Sequence, residues 1–329
     1  MEIPVIGQRR PLNFGESLRT NAKEPALNPP SDAANLDFLR AVAVMLVFFV
    51  HLYDISGGHS GKWGIAWNLG RLGILLFFVH TALVLMWSLE RSGLEGWRLP
   101  IAFYIRRIFR LYPLSIVCVL LGCRFDLSWK DSNIWPNLTL TQNLFSPGRY
   151  EVPPLFTPLW TLPLEVQMYV ILPLLFVMCR SRPPKLLLAG WSLAVVGALI
   201  QPKLGDRFEI MKYLPCFLGG VIAWRRMRNG ETRQLAGWLW PIAIAIVSIL
   251  SMATNKTFDP LHIAVFGLCL GFCLPYFKEI PWPRIRAASK IVARYSYSIY
   301  LSHFLIQVFI FNDAVHHPMF KNIRQLPLL

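Results

Sequence analysis

Nine apolar stretches alternate with short polar segments along the chain, near 37–54, 71–90, 108–124, 159–179, 186–201, 208–224, 235–254, 259–277 and 294–311. A hydrocarbon core of ~30 Å takes about 20 helical residues to cross, and most of these stretches approach that length. Helices and closed barrels alone satisfy their backbone in lipid. The pattern therefore predicts an all-α fold, a polytopic transmembrane helix bundle of about nine spans. It divides the chain into a polar N-terminal tail (1–35), a transmembrane domain (36–311) and a short C-terminal tail (312–329). The tail carries Arg9, Arg10, Arg19 and Lys23 and no apolar h-region, so the first apolar stretch reads as an anchor and not as a cleaved signal. No repeat period is visible.

Composition removes the soluble alternative. Hydrophobic residues make up 54% and charged residues 16% of the 329 residues, and mean hydropathy is +0.44. A soluble domain carries roughly 25% charge. The net charge of +15 would suggest nucleic acid in a soluble protein, but no nucleic-acid partner is needed to explain it. Basic residues of membrane proteins gather in cytoplasmic loops. With the N-terminus inside, the inner segments hold 21 Lys and Arg and the outer ones eight. The six cysteines all fall in or at the ends of apolar runs. Cys269 and Cys273 are one turn apart with no further ligands near them in the sequence, so they read as packing residues and no metal site is expected.

Ionisable groups inside a span are costly, so each is a functional candidate until paired off. Arg40 and His51 share the first span. Eleven residues turn a helix through about 1100°, within about 20° of three rotations, and rise ~16 Å. The two therefore project from one face, with Arg40 near the inner boundary. Arg40 either faces the bundle or snorkels to the headgroups; His51 is either a base or a packing histidine. Counted inward from Leu159, Glu165 lies ~9 Å below the outer boundary and His51 ~14 Å below it, which suggests a carboxylate beside an imidazole, as a general base requires. The competing reading is an ion pair of Glu165 with an arginine. Arg106, Arg107 and Arg110, at the start of the third span, share a face and suit either phosphate binding or the positive-inside rule. Tyr300 and His303 stand one turn apart in the last span, near Ser296, and His80 in the second span is unexplained. P-loop, Rossmann, G-x-S-x-G and H-E-x-x-H signals are absent from the sequence.

Leu36-Asp37-Phe38-Leu39-Arg40 is followed by His51, then by Phe103-Tyr104-Ile105-Arg106-Arg107-Ile108-Phe109-Arg110-Leu111-Tyr112-Pro113. Trp160-Thr161-Leu162-Pro163-Leu164-Glu165-Val166-Gln167-Met168-Tyr169 with Pro173 comes next, and finally Tyr295-Ser296-Tyr297-Ser298-Ile299-Tyr300-Leu301-Ser302-His303. In this order and spacing, over roughly residues 36–305, the segments resemble the acyltransferase-3 family of integral membrane acyltransferases. Two departures stand out. Phe77-Phe78-Val79-His80-Thr81 occupies a place where the family typically has Ser-Gly after the aromatic pair, and the sequence ends soon after the ninth span where members usually have a tenth.

The resemblance implies a membrane-bound O-acyltransferase of the bacterial inner (plasma) membrane that modifies the cell envelope. No cofactor is held; acyl-CoA, usually acetyl-CoA, is the cytoplasmic donor, and a hydroxyl of a glycan or lipid-linked sugar outside the cytoplasm is the acceptor. Carried over by position, His51 is the catalytic histidine, with Arg40 its partner and Glu165 an acidic position near the reaction. Arg106, Arg107 and Arg110 are assigned to the donor's phosphates, and Trp160, Tyr169, Tyr300 and His303 to the substrate. The alternative from the residues alone is a transporter that uses Arg40, His51 and Glu165 as a proton or substrate pathway.

Overall fold

The computed structural model describes residues 33–56, 58, 64–125, 134–145, 154–181, 183–230, 235–253 and 259–311. The polar tail up to residue 32, the stretch 312–329 and much of the long loop after the third span lie outside the described residues. The described residues form helices α1 (Ala34–Ile55), α2 (Ile65–Arg91), α3 (Arg98–Phe125), α4 (Trp135–Leu138) and α5 (Gln142–Phe145). A 3₁₀ helix (Pro154–Thr161) leads into α6 (Leu162–Ser181), followed by α7 (Pro184–Leu204), α8 (Glu209–Arg228), α9 (Leu239–Ala253), α10 (Pro260–Cys273) and α11 (Pro283–Phe311). Among the described residues there is no strand, only one bridge between Leu235 and Phe277. Nine of the helices run 14 to 29 residues and each falls on one predicted stretch. Four (α1, α2, α6 with the end of its 3₁₀ lead, and α7) are long and apolar enough to cross a membrane.

Local chemistry sets several boundaries. Pro183 and Pro184 separate α6 from α7, and Pro184 sits in the first turn of α7, where its missing N–H costs nothing. Asp259 caps α10, its carboxylate accepting from the backbone N–H of Leu261 at 3.0 Å and of His262 at 3.3 Å. The third span begins earlier than its apolar run suggests. Predicted from residue 108, the helix starts at Arg98, because Arg, Leu and Ala are strong helix formers and tolerate the headgroup zone.

Helix α2 is the centre of the bundle. Its residues are buried on all sides, as an all-round apolar sequence requires. It packs on α1, on α6 and on α8, where the Phe78 and Phe217 rings stack at 4.4 Å. Between α8 and α10 the backbones touch: a Cβ at Gly219 would collide with the main chain of Gly267, and only small residues permit so close an approach. Helix α7 is the rim, with Leu193, Val196 and Leu199 exposed.

Two polar clamps hold α1, one at its start and one two turns before its end. At its start, Asn35 donates to the carbonyl of Lys278 at 2.9 Å and accepts from the N–H of Ile280 at 3.0 Å. Further along, Gln307 of α11 donates to the carbonyl of Phe48 at 3.1 Å. Elsewhere Arg228 pairs with Glu90 at 3.0 Å, Arg225 and Arg228 both donate to the carbonyl of Arg180, and Arg226 donates to Tyr276. These contacts gather the ends of α2, α6, α8 and α10 at one end of the bundle.

Candidate active site

Helices α1 and α11 lie side by side and run in the same direction. Arg40 pairs with Ser296, its Nε donating to Oγ at 2.5 Å, and about three turns further along α1 and two further along α11 His51 meets His303, ring centroids 5.3 Å apart. The 3.6-residue period that puts Arg40 and His51 on one face thus aims both at the same neighbouring helix. Between them runs an aromatic connection. The Arg40 guanidinium lies 5.8 Å from the Phe77 ring centre, Phe77 and Tyr300 are stacked at 6.2 Å, and Tyr300 lies 6.1 Å from His303.

The Arg40 end is a layer of charge. Glu165 is buried, accepts a hydrogen bond from the hydroxyl of Tyr169, and lies within electrostatic reach of Arg40, Arg107 and Arg110. The His80 ring, also buried, lies within electrostatic reach of Arg40 and Arg110. Phe103 lies under the Arg107 guanidinium at 5.7 Å. Three guanidiniums around one carboxylate leave the layer net cationic, a setting in which phosphate groups find charge-assisted hydrogen bonds. Arg107 is half-buried and Arg110 exposed, so the layer opens outward beside α3. Arg106 is exposed, and its charge bears on its neighbour Arg107.

The His51 end is mostly apolar. His51 also meets the Phe304 ring at 5.1 Å, and His303 the Phe48 ring at 5.9 Å. A small cavity of about 10 Å³ lies between the two ends, lined by Ala43, Val47, Gly73, Phe77, Thr161 and Tyr300 among others. The Tyr300 hydroxyl donates to the carbonyl of Pro158 at 2.8 Å and accepts from Thr161 at 2.8 Å. Trp160 turns the other way and packs against Tyr213, ring centres 6.0 Å apart.

The structure thus brings Arg40, Arg107, Arg110, Glu165 and Tyr169 together at one level, and His51 with His303 and Tyr300 at another. Glu165 does not sit beside His51 as the depth count from Leu159 expects. That count takes residue 159 as the membrane boundary, whereas Pro154–Thr161 already packs along α11 at the level of Tyr300. Glu165 follows one turn later, bonded to Tyr169 and within electrostatic reach of Arg40, Arg107 and Arg110. Sequence reasoning missed Thr161 and Phe77 as wall residues. The signal for Phe77 was its place in the aromatic pair before His80; for Thr161 there was only adjacency to Trp160.

Comparison with known proteins agrees with the segments quoted above. Residues 33–329 match a family model described as an acyltransferase domain. The chain is similar to "Nodulation protein 10" of Rhizobium leguminosarum bv. viciae, 23% identical over 83% of this chain and 82% of that protein. It is also similar to "Acyltransferase MdmB" of Streptomyces mycarofaciens, 26% identical over 50% of this chain and 44% of that protein. No solved structure matches it.

Proposed function

The chain belongs to the acyltransferase-3 family, and from that premise we propose that it carries an acetyl group from cytoplasmic acetyl-CoA to a hydroxyl of a glycan or lipid-linked sugar on the far side of the membrane. That it is an integral membrane enzyme transferring acyl groups follows from the family and the apolar helices. The donor, the acceptor and the direction are the proposal. The nine long helices are its nine spans, with the N-terminus in the cytoplasm. The bias of 21 basic residues against eight supports that orientation.

One observation carries the reading. An open cationic layer (Arg40, Arg107, Arg110) stands about three helical turns, ~16 Å, from a histidine on the same helix face. That is the arrangement a CoA thioester needs, with its phosphates held at one end and its pantetheine arm extended along the Phe77–Tyr300 wall to the other. His51 takes the proton of the acceptor hydroxyl as its oxygen attacks the thioester carbonyl. The C–O bond forms, the C–S bond breaks, and the leaving CoA thiolate recovers the proton from His51. General-base assistance of this kind is worth ~10²–10⁴-fold. The cavity of about 10 Å³ is at the lower limit for a single water-sized group, which favours acetyl over longer chains. Glu165, held by Tyr169, keeps the arginine layer ordered and takes no proton from the acceptor.

The experiment uses the purified protein in lipid nanodiscs with acetyl-CoA labelled on the acetyl group and a panel of envelope glycans. Label on a glycan with the wild type, and none with folded His51→Ala, is expected. Retained transfer by His51→Ala would end the assignment of His51. Solute flux without any covalent product would favour a transport pathway.

A further inference from the structure

A histidine base works well only when a third group holds its ring and fixes which nitrogen carries the proton. His51 makes no hydrogen bond among the described residues; its neighbours are the rings of His303 and Phe304. Glu165, the carboxylate the sequence offered for this task, is occupied by Tyr169 and lies among the arginines. His303 is different. Its Nδ1 lies 3.0 Å from the carbonyl of Ile299 and 2.8 Å from that of Tyr300. A carbonyl oxygen only accepts, so the proton of His303 is on Nδ1 and its Nε2 carries the lone pair. That Nε2 is buried, on a residue 3% exposed, and has no hydrogen-bond partner. A buried acceptor left empty is destabilising unless something fills it.

The missing donor is next to it. Two imidazoles joined edge to edge by an N–H···N bond of about 3 Å have ring centres close to the 5.3 Å observed between His51 and His303. Their planes are inclined by 43°, an angle that a linear N–H···N bond tolerates because the planes are free to turn about the bond axis. Two contacts hold α1 and α11 in register next to the pair, Arg40 to Ser296 and Gln307 to the Phe48 carbonyl; on α11 they flank His303.

We infer that His303 is the positioning residue for His51: its Nε2 accepts the His51 N–H and leaves the other His51 nitrogen as the base aimed at the acceptor hydroxyl. The inference rests on the reading of His51 as that base. When His51 takes the proton, its bond to His303 becomes charge-assisted and strengthens, so the partner favours the cationic form without carrying a charge of its own. The backbone carbonyls of Ile299 and Tyr300 do for His303 what a buried carboxylate does for the histidine of a catalytic triad.

Three substitutions separate this role from others. His303→Gln places an amide oxygen near the lost Nε2; His303→Asn keeps only a donor near Nδ1; His303→Phe keeps neither. The expected result is a fall in kcat of roughly 10²-fold for His303→Asn and His303→Phe, smaller than the ~10⁴-fold effect of removing a triad carboxylate. His303→Gln should recover to within about tenfold of wild type, with KM for donor and acceptor unchanged in all three. If His303→Phe does not fold, the Gln and Asn pair decides. Equal kcat for Gln and Asn, or a loss confined to the acceptor KM, overturns the inference; the latter would make His303 a substrate contact. A second readout needs no turnover. In protein labelled with ¹⁵N-histidine, the Nε2 resonance of His303 should shift on His51→Phe, and no shift refutes the bond. If the bond is present while His51→Ala still transfers acetyl, the pairing stands and the assignment of His51 as base falls.

Discussion

Replacing Val47 by Ala is expected to widen the range of acyl groups the enzyme accepts. Val47 is 4% exposed and lines the small cavity between the arginine layer and His51. The wall opposite is tight, because a Cβ on Gly73 would stand 3.1 Å from a Val47 methyl. In about 10 Å³ an acetyl methyl fits, whereas the added methylene of a propionyl group must displace packed atoms. One methylene in an apolar pocket is worth ~1–3 kcal/mol, or about 10–200-fold, so the wild type should prefer acetyl-CoA over propionyl-CoA by that range in kcat/KM. Val47→Ala deletes two buried methyl groups. It should narrow the preference at least about tenfold and lower stability by ~1–3 kcal/mol. The assay is kcat/KM for acetyl-, propionyl- and butyryl-CoA, beside a thermal melt. An acetyl-to-propionyl ratio within about twofold of wild type, in folded protein, would refute the cavity as the acyl pocket.

Arg110→Ala should raise the KM for acyl-CoA roughly tenfold or more, the worth of a hydrogen bond to a charged group, and leave the acceptor KM alone; Arg106→Ala should change neither by more than about twofold. A donor titration of both variants checks this, and equal effects would dissolve the distinction between Arg110, which bears on Glu165 and Arg40, and Arg106. Gly219→Ala should lower the melting midpoint through ~1–3 kcal/mol of overpacking, because its Cβ meets the Gly267 backbone. Gly190→Ala, with open space around the new atom, should be neutral or slightly stabilising. Similar melts for the two would contradict the close α8–α10 contact.

The helices were legible because lipid leaves the sequence little freedom. Each long helix lies on an apolar run, and burial of α2 follows from its being apolar all round. What failed was depth. Glu165 was placed by counting from Leu159, which assumes that an apolar run starts at a flat boundary. The 3₁₀ segment Pro154–Thr161 breaks that assumption through pairing of Tyr300 with Pro158 and Thr161, a contact between distant parts of the chain. The arginine face of α3 was legible from its spacing, but the loss of Arg106 from it was not. Periodicity gives a shared face, while only packing against α6 and α11 shows which edge of that face turns inward. The partnership of His51 and His303 was invisible for the same reason: each was visible alone as an ionisable group in a span.

The most direct test of transfer across the membrane is sidedness. The protein is reconstituted into sealed vesicles, with its orientation read from protease access to an N-terminal tag. Acetyl-CoA is supplied on one side and a glycan acceptor on the other. Labelled glycan should form only when acetyl-CoA is on the side of the N-terminus and the acceptor is opposite. Transfer that requires donor and acceptor on the same side, or donor on the side away from the N-terminus, would contradict the account.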